Sequence, residues 1–573
     1  MSLPIFVVYQ QRIGPEMFIR SRKRGQHTYL QIVENHRDGG KVIQTSIANL
    51  GRLDILNKTG GLDSLLRSGA KFSEKLLVLD AHCKGQTTTT HTVKIGPVLL
   101  LEKLWKESGI RSLIEQFASD RRFGFSVERV VFAAVLQRLF QPGSDRAGER
   151  WIQSYAMEGA EHLDLHRYYR TMGWLGEPLG EEHQIDATPF MHRSVKDLIE
   201  EHYFALHRDL CSGIHLVFFD TTALYFEGNG GESIGQYGHS KDHRPDLKQM
   251  VVGVVLDDNG NPVCSELWPG NIADVKSLLP IIKRLKNRFG IDRICIVADR
   301  GMISAKVMEE LEELGMYYIL GARMRRVKEI RTEVLTNKDQ YTEIFPGRQH
   351  SKDPSPLKVK EVVLGDNRYI ICHNEEEARK DRYDRETIIA SLREKLKQGD
   401  ISLVGNKGYR RYLKRISGKH FEVDDTKISG DEIFDGKYVL LTNTDLHPME
   451  VAIQYKQLWT VEDIFRTMKS ILETRPIFHK CDDTIRGHVF CSFLALCMRK
   501  KLLDKLEMRN WKLEWEQIVQ DVDAISEVTV THAQKEFVIR TEARGVAGKV
   551  FQAAGVGLPP VLQDAKTMST TLF

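Results

Sequence analysis

The spacing of hydrophobic residues divides the chain into stretches of different period. Thr28–Glu34 alternates apolar and polar side chains, Asp38-Gly39-Gly40 is a turn signal, and Lys41–Leu50 resumes the alternation, so residues 1–60 read as short strands and turns. From 61 to 205 the period lengthens. Pro97–Lys106, Val127–Gln141 and Pro189–Leu206 carry apolar residues at helical spacing, and Pro142-Gly143-Ser144 breaks between helices. The region contains no helix-turn-helix pattern.

Residues 214–324 change texture again. Ile214–Phe219, Met250–Leu256 and Pro262–Leu267 are short β-rich apolar runs, and Asp257–Asn261 between the last two is a hairpin signal. An amphipathic helix (Asp274–Arg288), a strand (Arg293–Ala298), a helix capped by Ser304 (Ala305–Leu314) and a strand (Met316–Leu320) follow. The order β-β-β-α-β-α-β joins an antiparallel meander to crossover units and predicts a mixed sheet with helices packed on it. Residues 325–433 are polar and charged, too long for a loop inside a compact domain, and read as an inserted subdomain. Tyr438–Thr442 returns as a strand. Pro448–Leu472 reads as one long helix starting near Asp445, Asp483–Leu506 as a second, and 511–573 as a helical tail.

Composition changes this picture little. Charged residues make up 28% and hydrophobic residues 41% of 573, which excludes a largely disordered chain. The longest apolar window, Val489–Met498, is too short to span a bilayer, and no secretory leader pattern opens the sequence, so a cytoplasmic protein is expected and no membrane partner. Eight cysteines without a CxxC exclude a disulfide scaffold. His479, Cys481, His488 and Cys491 are the best metal-like cluster, but most of it falls in an apolar helical run and reads as core.

Charge placement matters more than its sum. The net charge is only +4, yet residues 1–60 hold nine Lys/Arg against four Asp/Glu, and residues 321–420 hold 24 against 15. Two basic segments in a near-neutral chain point to contact with a polyanion.

Two acids stand out. Asp220 follows IHLVFF and Asp299 follows ICIVA, each placed by the pattern at the C-terminal end of a buried strand. Parallel strands ending in Asp bring both carboxylates to one rim, and a divalent cation relieves their repulsion. A third acid is expected from a helix crossing the sheet. Glu462 shares a face with Arg466 and Lys469, beside the stripe Val461, Ile464, Phe465 and Met468; Asp463 is its competitor. The loop His239, Lys241, His243, Arg244 and Lys248 and Arg300 after Asp299 are cationic candidates for contact with an anion, against an ordinary solvated loop, and Trp268 and Trp459 are candidate stacking faces, although a Trp before a helix is more often core.

FFDTTALYF around Asp220, VADRGM around Asp299 and Y-x6-E-x6-K through Tyr455, Glu462 and Lys469 resemble the DDE transposases of bacterial insertion sequences. The likeness is to the cut-and-paste group with a large insertion before the catalytic Glu and a Tyr-Arg-Glu-Lys signature. GHSKDHRPDLKQ, WPGNIADV, FRTMKSILETRPIFH and TYLQIVENHRDGGKV carry it from about residue 17 to 505.

The resemblance implies an α/β fold: a ribonuclease-H-like mixed-sheet core interrupted by an inserted subdomain, with a small β-rich N-terminal module and a helical region. The expected divisions are 1–60 (DNA contact), 61–205 (DNA binding or dimerisation), 206–324, 325–433, 434–510 and 511–573. It implies Asp220, Asp299 and Glu462 as ligands of two Mg²⁺ or Mn²⁺ ions. It also implies terminal inverted repeats and target DNA as partners, a dimer in the synaptic complex, and a 5′ phosphate held by Tyr455 and Lys469. The chain departs from the signature at Leu458, where the family has Arg; Arg466 is the expected replacement for that charge. A two-metal nuclease or recombinase without strand transfer, and an inactive DNA-binding protein on the same scaffold, are the alternatives. The absence of G-x-x-x-x-G-K-[ST] argues against a nucleotide-dependent enzyme.

Overall fold

The computed structural model describes residues 16–564 apart from 39–40, 71–72, 185–186, 188–191, 208–214, 274, 292–293, 303, 347–353, 399–406, 418–419 and 533–534. Gly39-Gly40 and the expected starting residues Pro189, Ile214, Asp274 and Arg293 therefore lie outside the described residues. The chain forms two compact units. One comprises the described residues up to Thr92 with Glu527–Glu542 and those from Pro559; the other comprises Val93–Ser526 and Ala543–Leu558.

In the first unit, β1 (Glu16–Arg24), β2 (His27–Asp38) and β3 (Lys41–Arg52) pair antiparallel in that order. Leu30 and Val33 of β2 are both buried, and at Leu30/Gln31 and Ile32/Val33 the pairing shifts because β3 carries an extra residue each time. The next strand, β4 (Thr88–Lys94), belongs to a second sheet described below.

The larger unit is built on one mixed sheet. Its strands are β5 (His215–Tyr225), β6 (Gln249–Leu256), β7 (Pro262–Pro269), β8 (Ile294–Ala298), β9 (Tyr317–Gly321), β10 (Thr342–Phe345), β11 (Leu357–Leu364) and β12 (Asn367–His373). After the small hairpin of β13 (Leu413–Ser417) and β14 (His420–Val423), β15 (Lys437–Thr442) completes it. The sheet order is β10-β11-β12-β15-β9-β8-β5-β6-β7, with β8 parallel to β5 and β9. The meander β5-β6-β7 and the helices Val275–Phe289 and Ala305–Glu313, the latter capped by the Ser304 hydroxyl, follow the sequence pattern closely.

The insertion does not stand apart. The strands β10, β11 and β12 extend the core sheet, because β15 pairs antiparallel with both β12 and β9. Among the described residues, the part around Leu392, Tyr412 and Leu413 has a small core of its own. The expected helical tail likewise contains strands: β16 (Ser526–His532), β17 (Lys535–Arg540) and β18 (Leu562–Asp564) form a sheet with β4 in the order β18-β17-β16-β4. Val78, Val530, Phe537, Ile539 and Leu562 pack as its core.

Side chains alternate across the main sheet and define two layers. Val217 and Phe219 of β5, with Ile294, Ile296 and Ala298 of β8, face the helices Val275–Phe289 and Ala305–Glu313. Phe218, Leu224, Cys295 and Val297 face the other layer, with Val461, Ile464, Phe465 and Met468. The central helix of that layer, Asp482–Glu507, buries every residue from Ile485 to Met498, which is why the longest apolar window belongs to the core. It crosses Leu165–Gly176 closely: a Cβ on Gly487 would lie 2.1 Å from the Met172 carbonyl oxygen.

Candidate active site

Asp220 is not at a strand end. It lies in the middle of β5, paired with Val254 of β6. The parallel register with β8 runs from His215 opposite Ile294 to Phe218 opposite Val297. Two further steps at the same offset bring Asp220 level with Asp299, the residue that follows β8. Adjacent strands are about 4.8 Å apart. Asp220 shares its face with Phe218 and Leu224, and Asp299 continues the alternation of Cys295 and Val297, so both carboxylates point into the same layer. Both residues are half-buried.

Glu462 comes from that layer. The expected single helix Pro448–Leu472 is broken into Pro448–Lys456 and Trp459–Arg466, and it ends in a π-turn, Thr467–Ile471. Its N-cap is His447, not Asp445, and His447 forms a capping box with Glu450. Leu458 sits at the break and is buried, so the position where the family carries Arg is a core position here. Val461, Ile464 and Phe465 anchor the second segment against the sheet, and Glu462 is exposed beside them. Asp463, its competitor, pairs with Arg466 at 3.6 Å. Arg466 itself is 73% exposed.

Neighbouring groups hold the site. The Tyr455 hydroxyl donates to Asp299 Oδ1 at 3.1 Å, and burial with that carboxylate raises the phenol well above its ordinary range. Gly321 makes room for it: a Cβ there would lie 2.4 Å from the Tyr455 oxygen. Asp220 Oδ1 accepts the Thr221 amide at 2.7 Å, and Lys241 Nζ donates to the Thr221 carbonyl at 2.6 Å. Lys469 Nζ lies 2.9 Å from Asp242 Oδ1, and Arg475 approaches the other oxygen at 2.5 Å. Asp242 lies within the GHSKDHRPDLKQ stretch, where its cationic neighbours draw attention first. Arg475 follows the signature helix and carries no periodic signal.

The remaining candidates divide. Arg244 pairs with Asp246 at 2.9 Å, Lys248 Nζ donates to the Asn229 carbonyl at 3.0 Å, and His239, His243 and Arg300 are exposed. Trp459 is 63% exposed one turn before Glu462. Trp268 is different. It is 1% exposed, with its ring edge-on to Phe219 and against Gly253, so it is a core side chain and presents no face to a base.

The donors fit a divalent cation. Asp220 and Asp299, with Glu462 from the facing helix, would supply hard oxygen ligands, the set that suits Mg²⁺ or Mn²⁺, although their carboxylates are not gathered within 4.8 Å of one another in this structure. Among the described residues, the trio whose ligand atoms lie within 4.8 Å of one another is a different one, Asp145, His479 and His488. There the Arg138 guanidinium lies 3.0 Å from His488 Nδ1 and already supplies the positive charge. Burial and that guanidinium push His488 down to about 4. Cys481 is exposed and Cys491 is buried, and both are free thiols.

A mixed sheet with level aspartates on central parallel strands, faced by a Glu-bearing helix, is a ribonuclease-H-like core. The comparisons with known families agree. Residues 212–498, half of the chain, match the transposase DDE domain, and residues 18–82 match the N-terminal domain of IS1634 family transposases. The chain belongs to the DDE transposases of insertion sequences. It is accordingly a DNA transposase, and its family implies DNA binding and a divalent metal. No curated protein matches the chain. No helix among the described residues is long and apolar enough to cross a membrane.

Proposed function

We propose that the protein binds the terminal inverted repeats of its own insertion sequence, cuts at their ends and joins the freed 3′-OH ends to target DNA. The observation that carries this is the level placement of Asp220 and Asp299 on β5 and β8, on the face covered by the Glu462 helix. Asp220, Asp299 and Glu462 would hold Mg²⁺ or Mn²⁺, two ions in this reading, which supply Lewis acidity to the attacking and leaving oxygens.

In the first step a water oxygen forms a bond to phosphorus at the element's end. The bond from phosphorus to the element's 3′ oxygen breaks, and that oxygen leaves as a 3′-OH. In the second step this hydroxyl attacks a target phosphodiester, forming the new P–O bond and expelling the target's 3′ oxygen. The chain's own residues prepare both steps. Tyr455 would fix the Asp299 carboxylate by donating its hydroxyl hydrogen to Oδ1. Lys469 offers charge to the 5′ phosphate, and Lys241, Arg244, Lys248 and Arg300 line the approach, with Arg466 replacing the signature Arg on the exposed face of the Glu462 helix. Trp459 is the stacking side chain. Two ends must be brought together, which requires a dimer in the synaptic complex.

The test is a cleavage and joining assay on duplexes copied from the DNA that flanks the gene, with Mg²⁺ and the full-length protein. Nicked ends joined to a target support the reading. Cutting without joining of precut ends would leave a nuclease, and specific binding with neither would leave a DNA-binding protein.

A further inference from the structure

Asp242 gathers cations from two distant parts of the chain. Its oxygens meet Lys469 at 2.9 Å and Arg475 at 2.5 Å, and its side chain is only 9% exposed, against 14% for Lys469 and 24% for Arg475. Lys241, its neighbour, is tied to Thr221, the residue after Asp220. The Arg475 guanidinium also lies 5.3 Å from the centre of the Tyr225 ring at the end of β5. The loop is pinned internally, because the Ser240 hydroxyl accepts the amides of Asp242 and Arg244 at 3.3 and 3.0 Å.

One carboxylate therefore faces two cations, Lys469 and Arg475, while a third, Lys241, is held at Thr221 and acts on Lys469, all beside the strand that carries Asp220. The pairing with Asp242 uses one edge of the Lys469 ammonium and one of the Arg475 guanidinium, groups with three and five N–H donors. The excess charge and the further donors suit a phosphate, and the fixed geometry suits one placed next to the reacting bond.

We propose that Lys469 and Arg475 together form the binding site for a DNA phosphate at the cut end, and that Asp242 is the positioning residue that holds both cations in place. This rests on the reading that Lys469 meets the 5′ phosphate. The low exposure of Asp242 makes it a fixed counter-ion that stays while DNA binds, since breaking a buried ion pair leaves uncompensated charge. It also keeps Lys469 charged. Burial, Arg475 and Lys241 all pull the Lys469 ammonium below its ordinary value, and Asp242 opposes them. Without Asp242, Lys469 loses its proton at a lower pH, and the phosphate contact fades on the alkaline side.

The experiment measures anisotropy of the full-length protein with duplex ends that carry either a 5′ phosphate or a 5′ hydroxyl, from pH 7 to 10. The expected wild-type preference for phosphate is about tenfold. Asp242→Asn should lose most of it, earlier on the alkaline side, with hydroxyl-end binding kept as the sign of a folded protein. Asp242→Glu should restore part, and Arg475→Gln should lower the preference in a protein that keeps Asp242. An unchanged preference in Asp242→Asn and Arg475→Gln, with loss in Lys469→Met, overturns the proposal and leaves the reading of Lys469 standing. A preference that survives Lys469→Met overturns both. A gain in Asp242→Asn would mark Asp242 as a competitor of phosphate and also overturn the proposal.

Discussion

Tyr455 donates its phenolic hydrogen to Asp299 across 3.1 Å, from the helix that precedes the Glu462 segment to the end of a central strand. The sequence places these residues 156 positions apart. The bond ties one of the two level aspartates to the helical layer that carries the third acid.

Removing that bond while keeping the ring tests its role. Tyr455→Phe should lower the cleavage rate by about tenfold, the weight of a hydrogen bond to a charged group. Mn²⁺ binding to the DNA-free protein, followed by electron paramagnetic resonance, should weaken with it. Because the phenol is held protonated well above its ordinary range, the loss should be flat between pH 6 and 9.

The three acids give the strongest expectation. Asp220→Asn, Asp299→Asn and Glu462→Gln should each abolish cleavage, with binding to the terminal repeat largely intact in mobility-shift assays. Cleavage retained by Glu462→Gln would move the third ligand to Asp463.

Gly321 tests the packing beneath the site. In Gly321→Ala the new methyl would meet the Tyr455 oxygen at 2.4 Å. An overpacked core costs about 1–3 kcal/mol, and the tyrosine must move away from Asp299. Thermal unfolding should fall by a few degrees, and activity should fall at least as far as in Tyr455→Phe.

Acid should loosen the helical layer through His488. Its ordinary value is 6.5, and in the folded protein it is depressed to about 4 by burial and Arg138. The unfolded chain takes up the proton first. Stability is therefore complete above pH 6.5 and is lost as pH falls toward 4, by about 3 kcal/mol at most. Chemical denaturation at pH 4.5 and 7 should show the difference, and His488→Gln should flatten it.

Much of the core was legible in sequence because it is local. The runs before Asp220 and Asp299, the Asp257–Asn261 turn and the Ser304 cap each announce themselves within a few residues. What escaped depends on partners far along the chain. Nothing near Tyr438 says that β15 pairs with both β9 and β12, so the insertion reads as a separate body although its strands widen the sheet. The break at Leu458 escapes because helical periodicity continues across it, and the core takes up a side chain where the family carries a charge. Asp242 and Lys469 are 227 residues apart, and an Asp in a loop of cations reads as solvated until the fold buries it. Trp268 shows the converse, an aromatic next to candidate chemistry that the sheet takes for its core.

The sheet order also has a consequence for the making of the protein. A ribosome releases β5 to β9, with both aspartates, long before β15, which must pair beside β9, and before Glu462. Until then the edge of β9 has no strand to pair with, and an open edge invites association. The same delay separates the acids in time: a nascent chain halted anywhere in the insertion carries Asp220 and Asp299 without Glu462, and under the proposed three-acid site such a fragment should not cut DNA until the helix after β15 has been made.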